Sequence, residues 1–244
     1  MMDKYMLEAR FSDAVKSSYK SPKFIGFLDP AELEYIKEIS KYERQAKVIF
    51  WGGFCDAERK FVAVTQDDLF NEEFPIVAIS LIFRVEDKLS HRDFLGSFMS
   101  LGINRNCLGD ILCQDGKAVV FVKKELESYF LTNITKIAKV GVKCFAGTNG
   151  GLPNAHSFLD MSGVVASERA DCVVAFLMKS SREKAVKAIK SGIVIRNYKE
   201  LTSVSDKISE NDKISVRGMG KFLVSKLGPL TKKERMVINC KKYL

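Results

Sequence analysis

The order of apolar patterns between residues 74 and 150 constrains the fold most strongly. Branched apolar residues from Ile76 to Arg84 predict a buried strand, and the run from Ser90 to Asp93 predicts a capped helix start. Asp115-Gly116 predicts a tight hairpin turn. The predicted elements are strand 76–84, a helix from 90 to about 101, strands 110–113 and 117–122, helix 123–131 and strand 140–145. This β-α-β-β-α-β order is that of a ferredoxin-like domain, and it makes the chain an α+β protein.

An N-terminal α/β unit is predicted for residues 1–73. Apolar residues at helical spacing predict a helix over residues 3–20. A second helix is predicted to start at Asp29-Pro30 and to extend to about Arg44, because a capping carboxylate followed by proline favours helix initiation. The predicted strands of this unit are 48–51 and 61–64.

The strongest loop signal in the chain is the run from Asn149 to Asn154, which contains two glycines and a proline. It marks the end of the central domain, which we place at residues 74–150. We assign residues 151–166 to a linker and residues 167–244 to a C-terminal domain, where the pattern changes to two helices followed by short strands.

Positive charge is concentrated in the last third of the chain. The whole sequence has 39 Lys and Arg against 30 Asp and Glu, a formal net charge of +9. Residues 161–244 hold 18 basic and 8 acidic side chains, a net charge of +10, so the preceding 160 residues carry −1. A basic domain joined to a neutral body is typical of proteins that bind polyanions, with RNA, DNA and anionic lipid as the candidates.

One predicted helix of the basic domain sorts its residues onto two faces. Ser180 and Glu183 fit a capping box at its start, and Gly192 ends it. At 100° per residue, the small and apolar residues fall in one arc and three lysines in the other. The lysines are Lys184, Lys187 and Lys190. Such a face can follow a phosphate backbone, and the positive helix start at Ser181 and Arg182 also favours phosphate.

The C-terminal domain resembles the S4 domain, a small RNA-binding fold. The matching patterns are Arg169-x-Asp171, Ser181-Arg182-x-Lys184-Ala185, Ile189-x-x-Gly192-x-Val194-x-x-Asn197 and Asp212-x-Ile214-Ser215-Val216, within residues 167–228. Ala170 departs from the pattern, which commonly has a larger aliphatic residue there. The resemblance implies RNA contacts, to phosphate or sugar of structured RNA, at Arg169, Ser181, Arg182, Lys184, Lys187, Lys190, Asn197, Lys199, Arg217 and Lys221.

The resemblance extends over nearly the whole chain to the YlmH family of bacterial proteins, which are encoded beside cell-division genes. The similar segments are His91-Arg92-Asp93-Phe94-Leu95-Gly96-Ser97, Leu101-Gly102-Ile103, Gly109-Asp110-Ile111-Leu112 and Phe27-Leu28-Asp29-Pro30. It implies a cytoplasmic protein that binds ribosomal RNA of the large subunit and acts in quality control of stalled large subunits, with peptidyl-tRNA as an additional candidate partner. We expect a monomer when the protein is free.

Other functions are less well supported by the residues. His91, Arg92 and Asp93 form the cluster on which an RNA-modifying or RNA-cleaving enzyme, our alternative hypothesis, would depend. No nucleotide-binding glycine loop, paired-cysteine motif or closely spaced histidine pair is present, so we expect no cofactor, metal or catalytic site.

A membrane role is also weakly supported. The longest nearly uncharged run, Phe74 to Phe83, is about half the ~20 residues that a bilayer requires, and no signal peptide is apparent. The basic helix pairs its lysines with small residues rather than with Trp, Phe or Leu, which disfavours membrane-surface binding.

Overall fold

The computed structural model describes residues 3–154 and 158–243, and within them the chain is a mixture of helix and strand, as expected of an α+β protein. The helices are Lys4–Ser17 (α1), Pro30–Ser40 (α2), His91–Ser100 (α3), Glu127–Asn133 (α4), Ala170–Leu177 (α5) and Arg182–Lys190 (α6). The strands are Lys23–Leu28 (β1), Lys47–Trp51 (β2), Lys60–Thr65 (β3), Ile76–Ile82 (β4), Leu108–Gln114 (β5), Lys117–Lys123 (β6), Lys136–Ile137 (β7), Val140–Gly141 (β8), Lys143–Ala146 (β9), Phe158–Val165 (β10), Val194–Arg196 (β11), Lys199–Glu200 (β12), Lys213–Val216 (β13), Gly220–Leu230 (β14) and Met236–Tyr243 (β15). The chain divides into two compact units, residues 1–155 and 156–244.

The first unit begins with a three-stranded antiparallel sheet in the order β1-β3-β2. Helices α1 and α2 bury Leu7, Phe11 and Ile36 against it. The predicted start of α2 is confirmed: the Asp29 carboxylate accepts hydrogen bonds from the backbone of Ala31 and Glu32, which satisfies two otherwise unpaired helix N–H groups. Strand β1 was not predicted from the sequence.

The central sheet of the first unit has the strand order β5-β6-β4-β9, and every neighbouring pair is antiparallel. The chain visits these strands in the predicted order, with α3 between β4 and β5 and with α4 between β6 and β9. Both helices bury phenylalanines, Phe94 and Phe98 of α3 and Phe130 of α4, against one face of the sheet. Gly116 has a positive φ of 76° in the predicted turn between β5 and β6.

The opposite face of the central sheet packs against the N-terminal sheet. Phe121 of β6 stacks on Phe54 with ring centres 5.0 Å apart, and Phe27 of β1 lies edge-on to Phe61 of β3 at 4.7 Å. These rings share one buried cluster with Leu112. The predicted boundary between residues 73 and 74 therefore separates two segments that share a core and lie within one compact unit.

The second unit is a six-stranded antiparallel sheet in the order β10-β15-β14-β13-β11-β12. Helices α5 and α6 cover one face, where Val173, Ala185 and Ile189 pack with Ile214 and Phe222 of the sheet. The order of two helices followed by strands agrees with the sequence prediction, but β14 and β15, at 11 and 8 residues, are longer than the short strands expected. Strand β12 was not predicted.

Two sequence predictions in this unit are wrong in detail. Residues 158–165, which fall within the predicted linker 151–166, form strand β10, while residues 155–157 of that linker lie outside the described part of the chain. The apolar alternation of β10 is interrupted by Gly163, where a Cβ would approach the ring of Phe176 to 2.4 Å.

The capping residue of α6 is Ser181 rather than Ser180.

No helix of the described residues has both the length and the apolar character needed to cross a lipid bilayer.

Candidate nucleic-acid interface

One buried carboxylate joins the starts of the two helices of the C-terminal unit. Asp171, whose side chain is 3% exposed, lies in the first turn of α5. Its Oδ2 accepts hydrogen bonds from Nη2 of Arg169 at 3.1 Å and from Nη2 of Arg182 at 2.8 Å, and Nε of Arg182 also donates to it at 3.0 Å. The side chains of Arg169 and Arg182 remain 39% and 56% exposed, so both are held in place and accessible to solvent.

The electrostatics of Asp171 favour the charged form. Burial alone would raise its pKa, but the hydrogen bonds donated by Arg169 and Arg182 outweigh burial and lower the pKa to about 2. The carboxylate is therefore ionised at neutral pH. It neutralises part of the positive charge of the two arginines and leaves their outward N–H groups available to an anion.

The predicted basic face of α6 is present. Ser181 caps the helix, since its hydroxyl accepts the N–H of Lys184 at 3.3 Å. Lys184, Lys187 and Lys190 are exposed and fall within an arc of about 120°, given 100° per residue. Ala185, Ala188 and Ile189 face the core instead. Glu183 pairs with Lys187 at 2.9 Å, and both of these side chains are well exposed to solvent.

A second buried carboxylate, Asp212, organises the neighbouring hairpin. Its Oδ2 lies 2.7 Å from Nη2 of Arg196, and its Oδ1 accepts a hydrogen bond from the side chain of Asn197 at 2.6 Å. Asn197 and Tyr198, both with positive φ, form the two-residue turn between β11 and β12. Asn197 is thus placed by Asp212, and Arg196 is a further anchored cation that the site prediction did not include.

The remaining predicted contacts lie elsewhere on the C-terminal unit. Lys199 is exposed on β12, and Arg217 is exposed in the turn between β13 and β14. Lys221 on β14 alternates with the buried Phe222, so it lies on the sheet face opposite the helices. Its Nζ is 5.3 Å from the ring centre of Tyr198. Lys221 is therefore not brought together with the lysines of α6.

The three residues of the alternative enzyme hypothesis lie at the start of α3. The Asp93 carboxylate accepts hydrogen bonds from the hydroxyl of Ser90 at 2.6 Å and from its backbone N–H at 2.8 Å, and these bonds lower the pKa of Asp93. Burial, with the nearby charge of Arg105, lowers the pKa of His91. Arg92 is exposed. The role visible for Asp93 is to cap the helix.

Comparisons with known proteins are consistent across sequence and structure. Residues 71–147 match the family model described as "Putative RNA-binding domain in YlmH". "Ribosome-associated protein quality control protein P2" of Bacillus subtilis (strain 168) is 27% identical over 225 residues, which cover 91% of this chain and 87% of that protein. The solved structure of "Cell division protein ylmH from Streptococcus pneumoniae" aligns with a TM-score of 0.50 and 20% identity, over 59% of this chain and 88% of that chain, and so shares its fold.

These comparisons support the resemblance to the YlmH family that the sequence motifs indicate. The family model covers the central sheet with α3 and α4, which is the segment in which the β-α-β-β-α-β order was predicted. The anchored arginines and the lysines of α6 lie outside the matched residues, in the C-terminal unit. The matched segment and the basic residues therefore lie in different compact units of the chain.

Proposed function

We propose that this chain is a non-enzymatic RNA-binding protein whose C-terminal unit is an S4-type domain for structured ribosomal RNA. The observation that carries the proposal is the pair of guanidiniums fixed by Asp171 next to the exposed lysine face of α6. Fixed guanidiniums match phosphate oxygens, and a row of lysines follows a backbone without reading its bases. The proposed contacts are Arg169, Ser181, Arg182, Lys184, Lys187, Lys190, Asn197, Lys199 and Arg217.

Lys221 is a proposed contact of a different kind. Lys221 lies on the sheet face away from α6. An RNA segment that contacts both Lys221 and α6 therefore has to pass around the edge of the sheet at β12, and an RNA that contacts Lys221 alone approaches the face without helices. Its ammonium also lies 4.8 Å from the ring centre of Tyr243, which gives it a role in packing. We therefore expect Lys221 to contribute less to RNA affinity than Arg182.

The central segment is, in this proposal, a ferredoxin-like domain, supported by its strand order and antiparallel pairing. Domains of this layout often stack RNA bases on aromatic residues of the open sheet face. Here Phe121 stacks on Phe54, and Gly53 is so close to it that a Cβ there would meet the ring at 2.2 Å. RNA binding by residues 71–147 would therefore use loops or helix ends rather than this sheet face.

The ribosomal part of the proposal rests on the relatives. The Bacillus subtilis protein is named as ribosome-associated and as a quality-control protein. Similarity along 91% of this chain supports the same setting here, with large-subunit ribosomal RNA as the main partner, peptidyl-tRNA as a second partner and the cytoplasm as the location. Co-sedimentation with separated ribosomal subunits tests this part, since binding to the small subunit alone would contradict it.

The salt dependence of RNA binding tests the proposed surface. If about five to eight phosphates are contacted, log Kd should change with log salt concentration by a slope of roughly 4 to 7. Replacing Lys184, Lys187 and Lys190 together by Gln should reduce that slope by about 2 to 3 in fluorescence anisotropy with a ribosomal RNA fragment.

The matched control removes three exposed lysines of the same unit that lie outside α6, namely Lys226, Lys232 and Lys233. This control lowers the net charge by the same amount but keeps the lysine face of α6. It should therefore leave most of the salt slope intact. Equal losses in the two triple variants would show that net charge alone binds the RNA and would overturn the assignment to α6.

A further inference from the structure

Two arginines that are far apart in sequence lie side by side in the first unit. Nε of Arg59 donates to the backbone oxygen of Leu108 at 3.0 Å, and Nη1 of Arg105 donates to the same oxygen at 2.9 Å. Arg59 also donates through Nη2 to the carbonyl oxygens of Phe27 and Arg105, and Arg105 donates to that of Gly109. These bonds fix both guanidinium groups through neutral carbonyls, which do not offset their charge.

Neither guanidinium forms an ion pair within the described residues. Asp110, whose charge acts on both arginines, uses its two oxygens for the backbone N–H groups of Glu58 at 2.6 Å and Arg59 at 3.1 Å. Burial lowers the pKa of Arg59, and burial together with the charge of Arg59 lowers the pKa of Arg105 to about 10. Both groups remain charged at neutral pH, and the charges of Asp29 and Asp110 offset part of theirs without an ion pair to either guanidinium among the described residues.

Both arginines line a cavity of about 300 Å³, which is the lower end of the range for small-molecule sites. Arg10, exposed on α1, lines it as well, and so do Asp29 and Glu32 at the start of α2. The two carboxylates are engaged in capping that helix: Asp29 accepts two backbone N–H groups, and Glu32 accepts the N–H of Asp29. The uncommitted N–H groups at the cavity therefore belong to the arginines.

From this arrangement we propose that the cavity formed by Arg10, Arg59 and Arg105 binds a phosphate monoester. Its negative charge is attracted by three guanidiniums, which outnumber the two carboxylates, Asp29 and Glu32, of the cavity lining, and paired N–H donors fit phosphate oxygens. Arg105 lies inside the segment matched by the family model, whereas Arg10 and Arg59 lie outside it. The site is therefore completed only when the N-terminal sheet and the central sheet pack together.

Isothermal titration of the full chain with uridine 5′-monophosphate, inorganic phosphate and uridine tests the proposal. We expect saturable binding of both phosphates and no binding of uridine. Tighter binding of the nucleotide would identify the phosphate as the end of a nucleotide or RNA chain, and equal binding would identify free phosphate as the source. Absence of phosphate binding, or equal binding of uridine, would overturn the proposal.

Substitutions locate the site. Arg105→Gln should weaken phosphate binding about tenfold, because Arg105 is fixed and can donate two N–H groups to the phosphate. Arg10→Ala should weaken it about threefold, because an exposed charge contributes less. Within the described part of the chain the exposed side chain of Arg10 forms no hydrogen bond or ion pair, so Arg10→Ala remains informative if Arg105→Gln does not fold. Lys16→Ala removes the same charge from the same helix, outside the cavity, and should bind as the wild type does.

A spectroscopic readout separates this site from the C-terminal unit. The Nε–H resonances of Arg59 and Arg105 should shift together at lower concentrations of uridine 5′-monophosphate than that of Arg182, because a single phosphate at Arg182 lacks the enclosing cavity. Binding that moves Arg182 alone would place the phosphate in the C-terminal unit and refute the cavity. Loss of this site would leave the salt-dependent binding of RNA by α6 unaffected, so the two proposals fail independently.

Discussion

At the scale of single residues, Asp171 has the most consequences, because one carboxylate holds two guanidiniums that belong to different helices. A buried carboxylate with both partners in place is stable, whereas removing its charge leaves two arginines to find other partners. Asp171 is therefore needed for both the stability and the binding geometry of the C-terminal unit.

The pH dependence of stability follows from the lowered pKa of Asp171. The folded-state pKa of about 2 lies below the ordinary value of 3.8, so the unfolded chain binds the proton more readily. This contribution, about 2 kcal/mol, is complete above about pH 4 and is lost as the pH falls towards 2. Asp171→Asn should remove it at all pH values, as measured by urea unfolding at pH 7 and pH 3.

The control for this prediction is Glu183→Gln, which breaks the exposed pair with Lys187. An exposed pair of this kind contributes at most about 1 kcal/mol, so this variant should retain the acid-induced loss of stability. A wild-type free energy of unfolding in Asp171→Asn at neutral pH would contradict the anchoring role.

Arg182 is the residue whose removal should affect RNA most. Arg182→Ala should weaken binding about tenfold and reduce the salt slope by about 1, because one charged contact to phosphate is lost. The loss should be the same for two RNAs that share a fold and differ in sequence, since phosphate contacts carry no base information. Anisotropy titrations with such a pair check both statements, and a sequence-dependent loss would argue for base contacts instead.

At the scale of elements, the capping of α6 gives a paired test. Ser181→Ala removes the hydroxyl that accepts the N–H of Lys184 and should destabilise the C-terminal unit by about 1 kcal/mol. Ser180→Ala is the matched change one residue earlier and should have little effect, because Ser180 does not cap the helix. Thermal unfolding followed by circular dichroism distinguishes them, and equal losses would contradict the capping assignment.

The elements also show what the sequence could and could not predict. The start of α2 and the basic face of α6 were predictable because caps and helical periodicity are local signals. Strands β1 and β10 were missed because Gly26 and Gly163 interrupt their apolar patterns, for reasons that only tertiary packing reveals. In the same way, contact between Arg182 and Asp171, eleven residues apart, depends on how α5 packs against α6.

At the scale of the whole molecule, three buried clusters lie in the first unit and one in the second, and among the described residues no cluster contains residues of both units. Separate cores favour separate unfolding transitions. The chain has a single tryptophan, Trp51, in the first unit, whereas helices in both units contribute to circular dichroism. Urea unfolding measured by fluorescence and by circular dichroism should therefore give curves that do not superimpose.

The substitution Asp171→Asn sharpens this test. It should shift part of the circular dichroism curve to lower urea concentration and leave the fluorescence midpoint of Trp51 unchanged, because the two residues lie in different units. Coincident curves in both proteins, shifted together by the substitution, would mean that the two units unfold as one.

The two buried carboxylates of the C-terminal unit have a consequence for the entropy of the proposed RNA association. Each free arginine side chain has rotamer entropy worth about 2 kcal/mol, which binding must otherwise overcome. Arg169, Arg182 and Arg196 are already ordered by Asp171 and Asp212 during folding, before any RNA arrives. Preorganisation of this kind lowers the entropic cost of forming the proposed complex and so raises its affinity.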